Sequence, residues 1–308
     1  MLRRQLKRLI CLNRRQFGVT KGSSQPYIEE EHLTKSGGPN LGIPTHPFKG
    51  YDGPEQYWDN AAQWYDRFIS RFSKKIYETM TPFLHLEEAD KILEVGAGTG
   101  VGAEVLLENT SEHSKLYLTD YSNGLLEYCK AKNLPRTEIK KVNPDNLPFP
   151  GEYFDRYLSL ATIEELLNPE LVLTEAFRVL KPTGILGMSV LGKHSSSTVT
   201  KAFGKVRSRL NIKRPLQLRS ELTNPGILKA ILKECGFQKT ITFYEQCHYP
   251  STEIQELKKF FLEEPTIKEA AAANSAEVEQ IVEAELTQIL KVEETPLNYE
   301  ALIIIAYK

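Results

Sequence analysis

A strand that runs directly into a glycine-rich turn and then into a helix is the feature that most constrains how this 308-residue chain folds. The segment Ile92–Gly100 has the order Ile-Leu-Glu-Val-Gly-Ala-Gly-Thr-Gly. Because glycine has no Cβ, its backbone takes positive φ values and approaches a ligand closely. The first turn of the following helix adds unpaired N–H groups. The segment therefore predicts a ligand-binding turn at the end of a buried strand.

The spacing of the glycines distinguishes this turn from a dinucleotide site. A dinucleotide-binding turn needs Gly or Ala at the last position of G-x-G-x-x-G. Counted from Gly96, that position holds Val101, and the third glycine comes one residue earlier, at Gly100. An acid, Glu94, also precedes the first glycine. The pattern favours a cofactor that carries an amino acid group and no pyrophosphate.

Strands and helices alternate on both sides of the turn. Segments of strand length lie at 91–95, 115–119, 138–142, 154–160, 185–191, 239–244 and 299–307. Segments with helical character lie at 101–107, 123–132, 169–180 and 225–235, and a helical region spans 56–84. Such alternation predicts a parallel sheet covered on both faces. A further helical stretch at about 250–292 separates the last two strands and is expected to form a cap.

The first 28 residues differ from the rest in charge, with basic side chains from Arg3 to Lys21 and no acid before Glu29. Apolar residues from Leu2 to Ile10 fall on one helical stripe. This pattern is typical of a mitochondrial transit peptide, and a disordered basic tail is the alternative. We expect residues 29–54 to be a linker and residues 55–308 to form one domain in the mitochondrial matrix, or in the cytoplasm if the basic segment is only a tail.

Composition narrows the classes of partner. A net charge of -1 does not indicate a nucleic-acid binder, and no apolar run approaches the roughly 18 residues of a membrane helix. The four cysteines, Cys11, Cys129, Cys235 and Cys247, have no metal-like spacing. We therefore expect no nucleic-acid partner, no integral membrane segment and no metal, and the sequence makes no prediction of the oligomeric state.

In these ordered segments the chain resembles the class I S-adenosylmethionine-dependent methyltransferases, in particular the small-molecule branch that includes the quinone-biosynthesis enzymes. The resemblance covers residues 57–307 and rests on Glu94–Gly100, on Asp120 after the second strand, and on Leu147-Pro148-Phe149. It implies a doubly wound, Rossmann-like α/β sheet of seven strands, with 299–307 as the antiparallel last strand. It also implies S-adenosylmethionine as the cofactor, lying across the carboxyl ends of the early strands.

The resemblance also implies a set of cofactor-binding residues. Asp120 is placed to accept hydrogen bonds from ribose hydroxyls, with a turn or capping role as the alternative. Asn143 stands where the family has an adenine-contacting Asp, and Asp145 is its rival. Tyr65 is expected to contact the cofactor or the substrate, with a core position as the alternative. The predicted set is Glu94, Gly96, Ala97, Gly98, Gly100, Asp120, Tyr121, Asn143 and Tyr65.

The predicted reaction is methyl transfer to a small, hydrophobic molecule by in-line displacement. The methyl group of a sulfonium is already activated, so the enzyme mainly positions the nucleophile, and a base is needed only where that nucleophile loses a proton. The candidate bases are Glu164, Glu165, His194 and His248, each with an ordinary structural role as the alternative. Phe260, Phe261 and Leu262 either face a hydrophobic acceptor or belong to the core. Protein methylation and a non-catalytic role as a methyltransferase-like assembly factor remain open.

Overall fold

Seven strands form one sheet at the centre of the residues that this computed structural model describes, 54–213 and 218–308. In chain order they are β1 (Lys91–Val95), β2 (Lys115–Asp120), β3 (Thr137–Lys141), β4 (Phe154–Leu160), β5 (Leu180–Leu191), β6 (Lys239–His248) and β7 (Asn298–Tyr307). The predicted transit segment, residues 1–28, and nearly all of the predicted linker, residues 29–54, lie outside the described residues.

The order of the strands across the sheet is β3-β2-β1-β4-β5-β7-β6. Strand β1 pairs in parallel with both β2 and β4, and β7 lies antiparallel between β5 and β6. The winding direction reverses after β3, when the chain crosses to the other side of β1. The carboxyl ends of β1 and β4 therefore border the crevice where open α/β sheets bind ligands. The predicted doubly wound sheet with an antiparallel last strand is confirmed.

Helices fill the connections between the strands. Helices α1 (Pro54–Trp64) and α2 (Ser70–Met80) precede β1 and are joined by a π-helical turn, Tyr65–Ile69. Between later strands lie α3 (Val101–Asn109), α4 (Asn123–Ala131), α5 (Pro169–Val179), α6 (Thr198–Arg209) and α7 (Pro225–Cys235). Helices α8 (Ile254–Leu262), α9 (Pro265–Ala273) and α10 (Ser275–Thr287) separate β6 from β7. Within the described ranges, every helix is too short or too polar to cross a bilayer.

The burial of each strand follows its place in the sheet. Strand β7 is flanked by β5 and β6, and the apolar run Ala301–Ala306 is completely buried. The edge strands β3 and β6 are only half-buried along most of their length. A strand covered on both faces needs a continuous apolar run, whereas an edge strand does not. This difference explains why the apolar runs of the central strands are the clearest strand signals in the sequence.

Aromatic side chains join the N-terminal helices to the helices that precede β7. The ring of Trp64 stacks on Phe260 with centroids 5.8 Å apart, and its Nε1–H donates to the Phe260 carbonyl oxygen at 2.7 Å. Phe203 of α6 packs edge-on against Phe260 and stacks on Phe261 at 4.2 Å. Phe260 and Phe261 are buried in this cluster. They therefore belong to the core, the second of the two roles that the sequence left open.

Helix α6 is the main element that the sequence analysis did not predict. Its apolar residues Val199, Ala202, Phe203 and Val206 follow helical spacing, and all four are buried. The polar run from Lys193 to Ser197 precedes the helix, and no helix was predicted from the sequence between this run and residue 225. The predicted helical region at 56–84 is likewise interrupted by the π-helical turn.

Candidate active site

The glycine turn after β1 has a backbone conformation that favours glycine at three positions. Gly96, Gly98 and Gly100 have φ angles of +78°, +56° and +82°. The N–H groups of Gly96 and Ala97 both donate to the Thr119 carbonyl oxygen, at 2.8 Å and 2.9 Å. These two hydrogen bonds fix the turn against the end of β2. Gly100 then begins α3 as its N-cap residue.

Two neighbouring side chains enclose the turn. A Cβ on Gly96 would overlap the hydroxyl oxygen of Thr162, which follows β4. A Cβ on Gly98 would come within 3.3 Å of the ring of Tyr65, which begins the π-helical turn. The turn is thus covered from the sheet side by Thr162 and from the N-terminal helices by Tyr65. Side chains at the two glycines would fill this cradle.

Glu94, the residue before the last one of β1, has a buried carboxyl group. Its Oε1 accepts a hydrogen bond from the Tyr77 hydroxyl, and its Oε2 has no hydrogen-bond partner among the described residues. Burial raises the pKa of Glu94 to about 8, and the hydrogen bond from Tyr77 opposes that shift. Glu94 does not itself line the cavity described below. The structure therefore places this predicted cofactor residue just before the glycine turn, bound to Tyr77, and gives it no contact with the cavity.

Asp120, at the end of β2, combines a structural role with an accessible acceptor. Its Oδ2 accepts from the Gly98 N–H and its Oδ1 from the Ser122 N–H, both at 2.9 Å. Burial raises the pKa of Asp120, and these backbone hydrogen bonds oppose the increase. Each carboxylate oxygen has a second lone pair, and Asp120 lines the cavity. Asp120 therefore has the turn role that the sequence analysis gave as an alternative. Its second lone pairs remain available to accept hydrogen bonds from ribose hydroxyls.

Helix α1 is held over the turn by one carboxylate. Asp59 Oδ1 accepts from the Ser122 hydroxyl at 2.6 Å and from the Gly124 N–H at 2.7 Å. A Cβ on Gly124 would stand 2.7 Å from the Asp59 backbone, so the glycine permits the close approach of α1 to α4. As a result α1 contributes Tyr57, Trp58 and Trp64 to the lining of the cavity.

A cavity of about 210 Å³ lies between the glycine turn, α1, the π-helical turn and α6. Its polar lining comes from the strand ends and includes Gly96, Gly98, Asp120, Tyr121, Thr162 and Glu164. Its apolar lining includes Trp64, Ile69, Phe72, Val199, Phe203 and Tyr299. One enclosed space therefore joins a polar cradle to an aromatic wall.

Glu164 is a second buried carboxyl group, in the short 3-10 turn Ile163–Glu165 after β4. Its Oε1 accepts from the Leu191 N–H at 2.9 Å, and its Oε2 has no partner among the described residues. Burial raises the pKa of Glu164 to about 7. A general base needs a pKa near the working pH and a lone pair that reaches the substrate. Glu164 meets the first condition and lines the cavity, whereas its neighbour Glu165 accepts from Trp58 Nε1 at 2.8 Å.

Tyr121 and Asn143, both predicted to contact adenine, lie in different surroundings. Tyr121 lines the cavity, and its buried hydroxyl has no partner within the described part of the chain. Asn143 is exposed, and its Oδ1 accepts from the Asp145 N–H at 3.0 Å in a local turn. Neither Asn143 nor Asp145 lines the cavity. The cavity geometry therefore supports Tyr121 and gives no support to the other two residues.

The two histidines proposed as bases do not reach the cavity. His194 begins a short turn after β5, His248 ends β6, and both side chains are exposed. The Gly192 N–H donates to the Glu300 carbonyl oxygen at 2.7 Å, which draws the chain after β5 toward β7. Strand β6 is at the edge of the sheet, with β7 between it and β5. Of the candidate bases, only Glu164 and Glu165 line the cavity.

Several residues of the site were not singled out from the sequence. Thr162 covers Gly96, and Tyr77 binds Glu94. Phe203 and Arg207 line the cavity from α6. The spacing of four residues between Val199, Phe203 and Arg207 was a signal for one helix face. It carried no information on what that face contacts.

The residues present fit S-adenosylmethionine. Asp120 lines the cavity and offers acceptors to ribose hydroxyls, whereas Glu94 precedes the turn without lining the cavity. The cradle beside Gly98 is narrow enough that a Cβ would fill it. The buried hydroxyl and ring of Tyr121 lie in the same cavity. These groups match an adenosylated amino acid.

A protein family described as "Methyltransferase domain" matches residues 93–188 of this chain, from β1 into β5. The chain is 29% identical over 148 residues to a malonyl-[acyl-carrier protein] O-methyltransferase from Marinomonas sp., a match that covers 47% of this chain and 54% of that protein. It is 29% identical over 105 residues to the ubiquinone/menaquinone biosynthesis C-methyltransferase UbiE of Neisseria meningitidis, covering 33% of this chain and 43% of the relative. The matched part thus spans about half the length of these curated relatives.

A similar fold occurs in phosphoethanolamine N-methyltransferase 2 of Haemonchus contortus, solved with phosphomonomethylethanolamine and S-adenosylhomocysteine. The TM-score is 0.55 at 19% identity, and the match covers 83% of this chain and 59% of that one. At this identity the likeness concerns the fold alone. The strand order, the glycine turn with its two acids and the match of residues 93–188 to a methyltransferase domain together support a class I S-adenosylmethionine-dependent methyltransferase.

Proposed function

We propose that the protein transfers the methyl group of S-adenosylmethionine to a small, hydrophobic molecule by in-line displacement. One observation carries this proposal: the cofactor cradle and an aromatic wall open into the same cavity. Gly98 and Asp120 border one part of this space, and Trp64 and Phe203 border another. An apolar acceptor held by the wall would be adjacent to the cofactor without crossing solvent.

Positioning and exclusion of water are the main contributions of the chain itself. The bound cofactor supplies an activated methyl group, so the rate depends on how well the acceptor is aligned with it. Phe72, Phe203 and Tyr299 offer apolar surface against which an acceptor would be held. Tyr65 is fixed by a hydrogen bond of 2.9 Å between its hydroxyl and that of Ser73. With its ring against Gly98, Tyr65 would shield the reacting atoms from water.

Glu164 is the residue that we infer to act as a general base. Its Oε1 is anchored by the Leu191 N–H, and its unpartnered Oε2 is available to accept a proton from the acceptor. A carboxyl group whose pKa is about 7 is partly ionised near neutral pH, as a base at that pH requires. This role suits an acceptor that loses a proton from oxygen or from an acidic carbon.

The relatives support a small acceptor. The names of the two reported relatives describe methylation of a malonyl group carried by acyl-carrier protein and of a carbon atom in quinone biosynthesis. These substrates differ in the atom that is methylated, and both bring a small organic group to the cofactor. For this chain, the exact acceptor is therefore sought among small organic molecules that lose a proton.

The proposed function predicts that the protein transfers labelled methyl groups to an organic-soluble product. Purified protein is incubated with methyl-labelled S-adenosylmethionine and a metabolite extract, and the label is counted in the organic phase and in precipitated protein. Label in the organic phase is the expected result. Label confined to precipitated protein would indicate a protein methyltransferase. Cofactor binding with no transfer to either fraction would favour the non-catalytic assembly factor.

Gly98→Ala is expected to weaken S-adenosylmethionine binding by about tenfold. The new methyl group fills the cradle beside Tyr65 that the cofactor would occupy, and a tenfold loss corresponds to about 1.4 kcal/mol of binding free energy. Titration calorimetry measures the change. Gly204→Ala is the matched control, because Gly204 lies in α6 with nothing within 4 Å of its would-be Cβ. Equal affinities for the two variants would contradict the placement of the cofactor.

Glu164→Gln is expected to lower turnover by at least about 100-fold if Glu164 is the base, while cofactor affinity stays unchanged. Turnover of the wild-type protein should rise with pH through about 7, as Glu164 ionises. Exposed Glu112, whose side chain is 87% accessible, provides the control variant Glu112→Gln. If Glu164→Gln keeps the wild-type rate and pH profile, this role is ruled out.

The same substitution has a separate effect on stability. Burial raises the pKa of Glu164 from 4.5 to about 7, so between these pH values the folded protein holds a proton that the unfolded chain has released. Raising the pH across this window therefore destabilises the wild-type protein relative to Glu164→Gln, by at most about 1.4 kcal/mol per pH unit. Thermal unfolding of both proteins at pH 5, 6, 7 and 8 measures the difference, which should grow toward pH 8. A constant difference would mean that Glu164 is not desolvated.

We also propose a mitochondrial matrix location, based on the basic, acid-free residues 1–28. Fusion of these residues to a reporter should direct it into mitochondria, because a basic amphipathic helix is the feature that the import machinery recognises. Leu6→Glu with Leu9→Glu is the matched control, since it disrupts the apolar stripe and retains every basic side chain. A reporter that stays in the cytoplasm with the intact segment would refute the location.

A further inference from the structure

Arg207 is the only Lys, Arg or His side chain among the described residues that line the cavity. It lies on the face of α6 that also presents Val199 and Phe203, and its guanidinium carbon is 5.1 Å from the centre of the Phe203 ring. Only 14% of its side chain is exposed. A cation in a mostly apolar lining is costly unless charge and hydrogen bonds compensate it.

Glu264 compensates Arg207 only in part. The Arg207 Nη2 atom is 3.0 Å from Glu264 Oε1, and Nε lies 3.5 Å from the Thr266 hydroxyl. Glu264 is completely buried as the N-cap residue of α9. It also accepts from the Tyr57 hydroxyl at 3.0 Å and from the backbone N–H groups of Thr266 and Ile267 at 3.1 Å. The carboxylate is therefore stabilised by several donors besides Arg207.

This arrangement leaves Arg207 with donor capacity toward the cavity. A guanidinium group has five N–H donors in a planar fork, and the contacts with Glu264 and Thr266 use two of them. The fork matches a carboxylate or a phosphate group through paired hydrogen bonds. The group lies over the Phe203 ring, beside the apolar lining.

The acidic residues that line the cavity do not lie on α6, the helix that carries Arg207. Asp120 ends β2, and Glu164 and Glu165 follow β4, on the side of the glycine turn where the cofactor cradle lies. Arg207 belongs to α6, among the residues of the apolar wall. The lining therefore carries its acids on the strand ends and a single cation on α6.

We propose that Arg207 binds an oxyanion, a carboxylate or a phosphate, at one end of an otherwise apolar acceptor. The acceptor class is then an amphiphilic anion whose apolar body packs on the aromatic wall. A neutral apolar acceptor would cover the guanidinium without replacing its hydration, which is unfavourable. This inference rests on the proposed function, since it assumes that the acceptor shares the cavity with the cofactor.

The test uses the fluorescence of the two tryptophans in the chain. Trp58 and Trp64 are its only tryptophans, and both line the cavity, so a change in emission reports binding there. Full-length protein saturated with S-adenosylhomocysteine is titrated with decanoate, decyl phosphate, decanol and decylamine. We expect decanoate or decyl phosphate to bind at least about tenfold more tightly than decanol, as for a hydrogen bond to a charged group. The relative affinity of the two anions identifies the preferred oxyanion.

Arg207→Met is expected to reduce the affinity for decanoate and decyl phosphate to that for decanol, and to leave decanol binding unchanged. Arg207→Lys keeps the charge but loses the fork, and should fall between these extremes. Arg209→Met is the matched control, because Arg209 is also on α6 and pairs with buried Glu285 at 2.8 Å without lining the cavity. If Arg207→Met does not fold, Arg207→Lys decides the question.

Two results would overturn the inference: equal binding of decanoate, decyl phosphate and decanol by the wild-type protein, or equal loss of anion binding in Arg207→Met and Arg209→Met. Calorimetry with S-adenosylhomocysteine is performed on each protein as an independent measurement. Selective anion binding without any cofactor binding would contradict the proposed methyltransferase function and leave the anion site intact. Cofactor binding without anion selectivity would contradict the anion site and leave the proposed methyltransferase function intact.

Discussion

The contact of Asp59 with the beginning of α4 is the interaction on which the enclosed cavity depends. Its carboxylate accepts from the Ser122 hydroxyl and the Gly124 N–H, at a helix N-terminus where negative charge is favoured. Ser122 also donates its backbone N–H to Asp120, so α1, α4 and the cofactor cradle share one short hydrogen-bonded network. Without this contact Tyr65 would lose its place above the glycine turn.

Two buried carboxyl groups at the site are arranged in a way that lowers the stability of the folded protein. Glu94 and Glu164 each have one oxygen paired and one oxygen without a partner in the described structure, and burial raises the pKa of both. Such groups destabilise a folded protein. They persist where a ligand completes their hydrogen bonds, which is the usual balance between stability and activity at a functional site. The aromatic cluster around Phe260 offers compensating burial close to the same cavity.

The sequence predicted the parts of this structure that local physics determines. Strands β1 and β4 have the predicted bounds, because each is a short segment between clear turns. The positive φ angles at the glycine turn follow from the residue type in the same way. The cavity wall could not be predicted, since it joins residues far apart in the chain: Tyr57 binds Glu264, and Trp64 stacks on Phe260. Spacing along α6 predicts a helix face but does not identify what that face contacts.

The position of β7 has a consequence for how the protein is made. This strand lies between β5 and β6, yet it is synthesised after both of them and after α8, α9 and α10. Until β7 emerges from the ribosome, β5 and β6 have no partner on their facing edges, and unpaired edges promote aggregation. The sheet therefore closes only after its six other strands have been made, and β5 and β6 present unpaired edges until then.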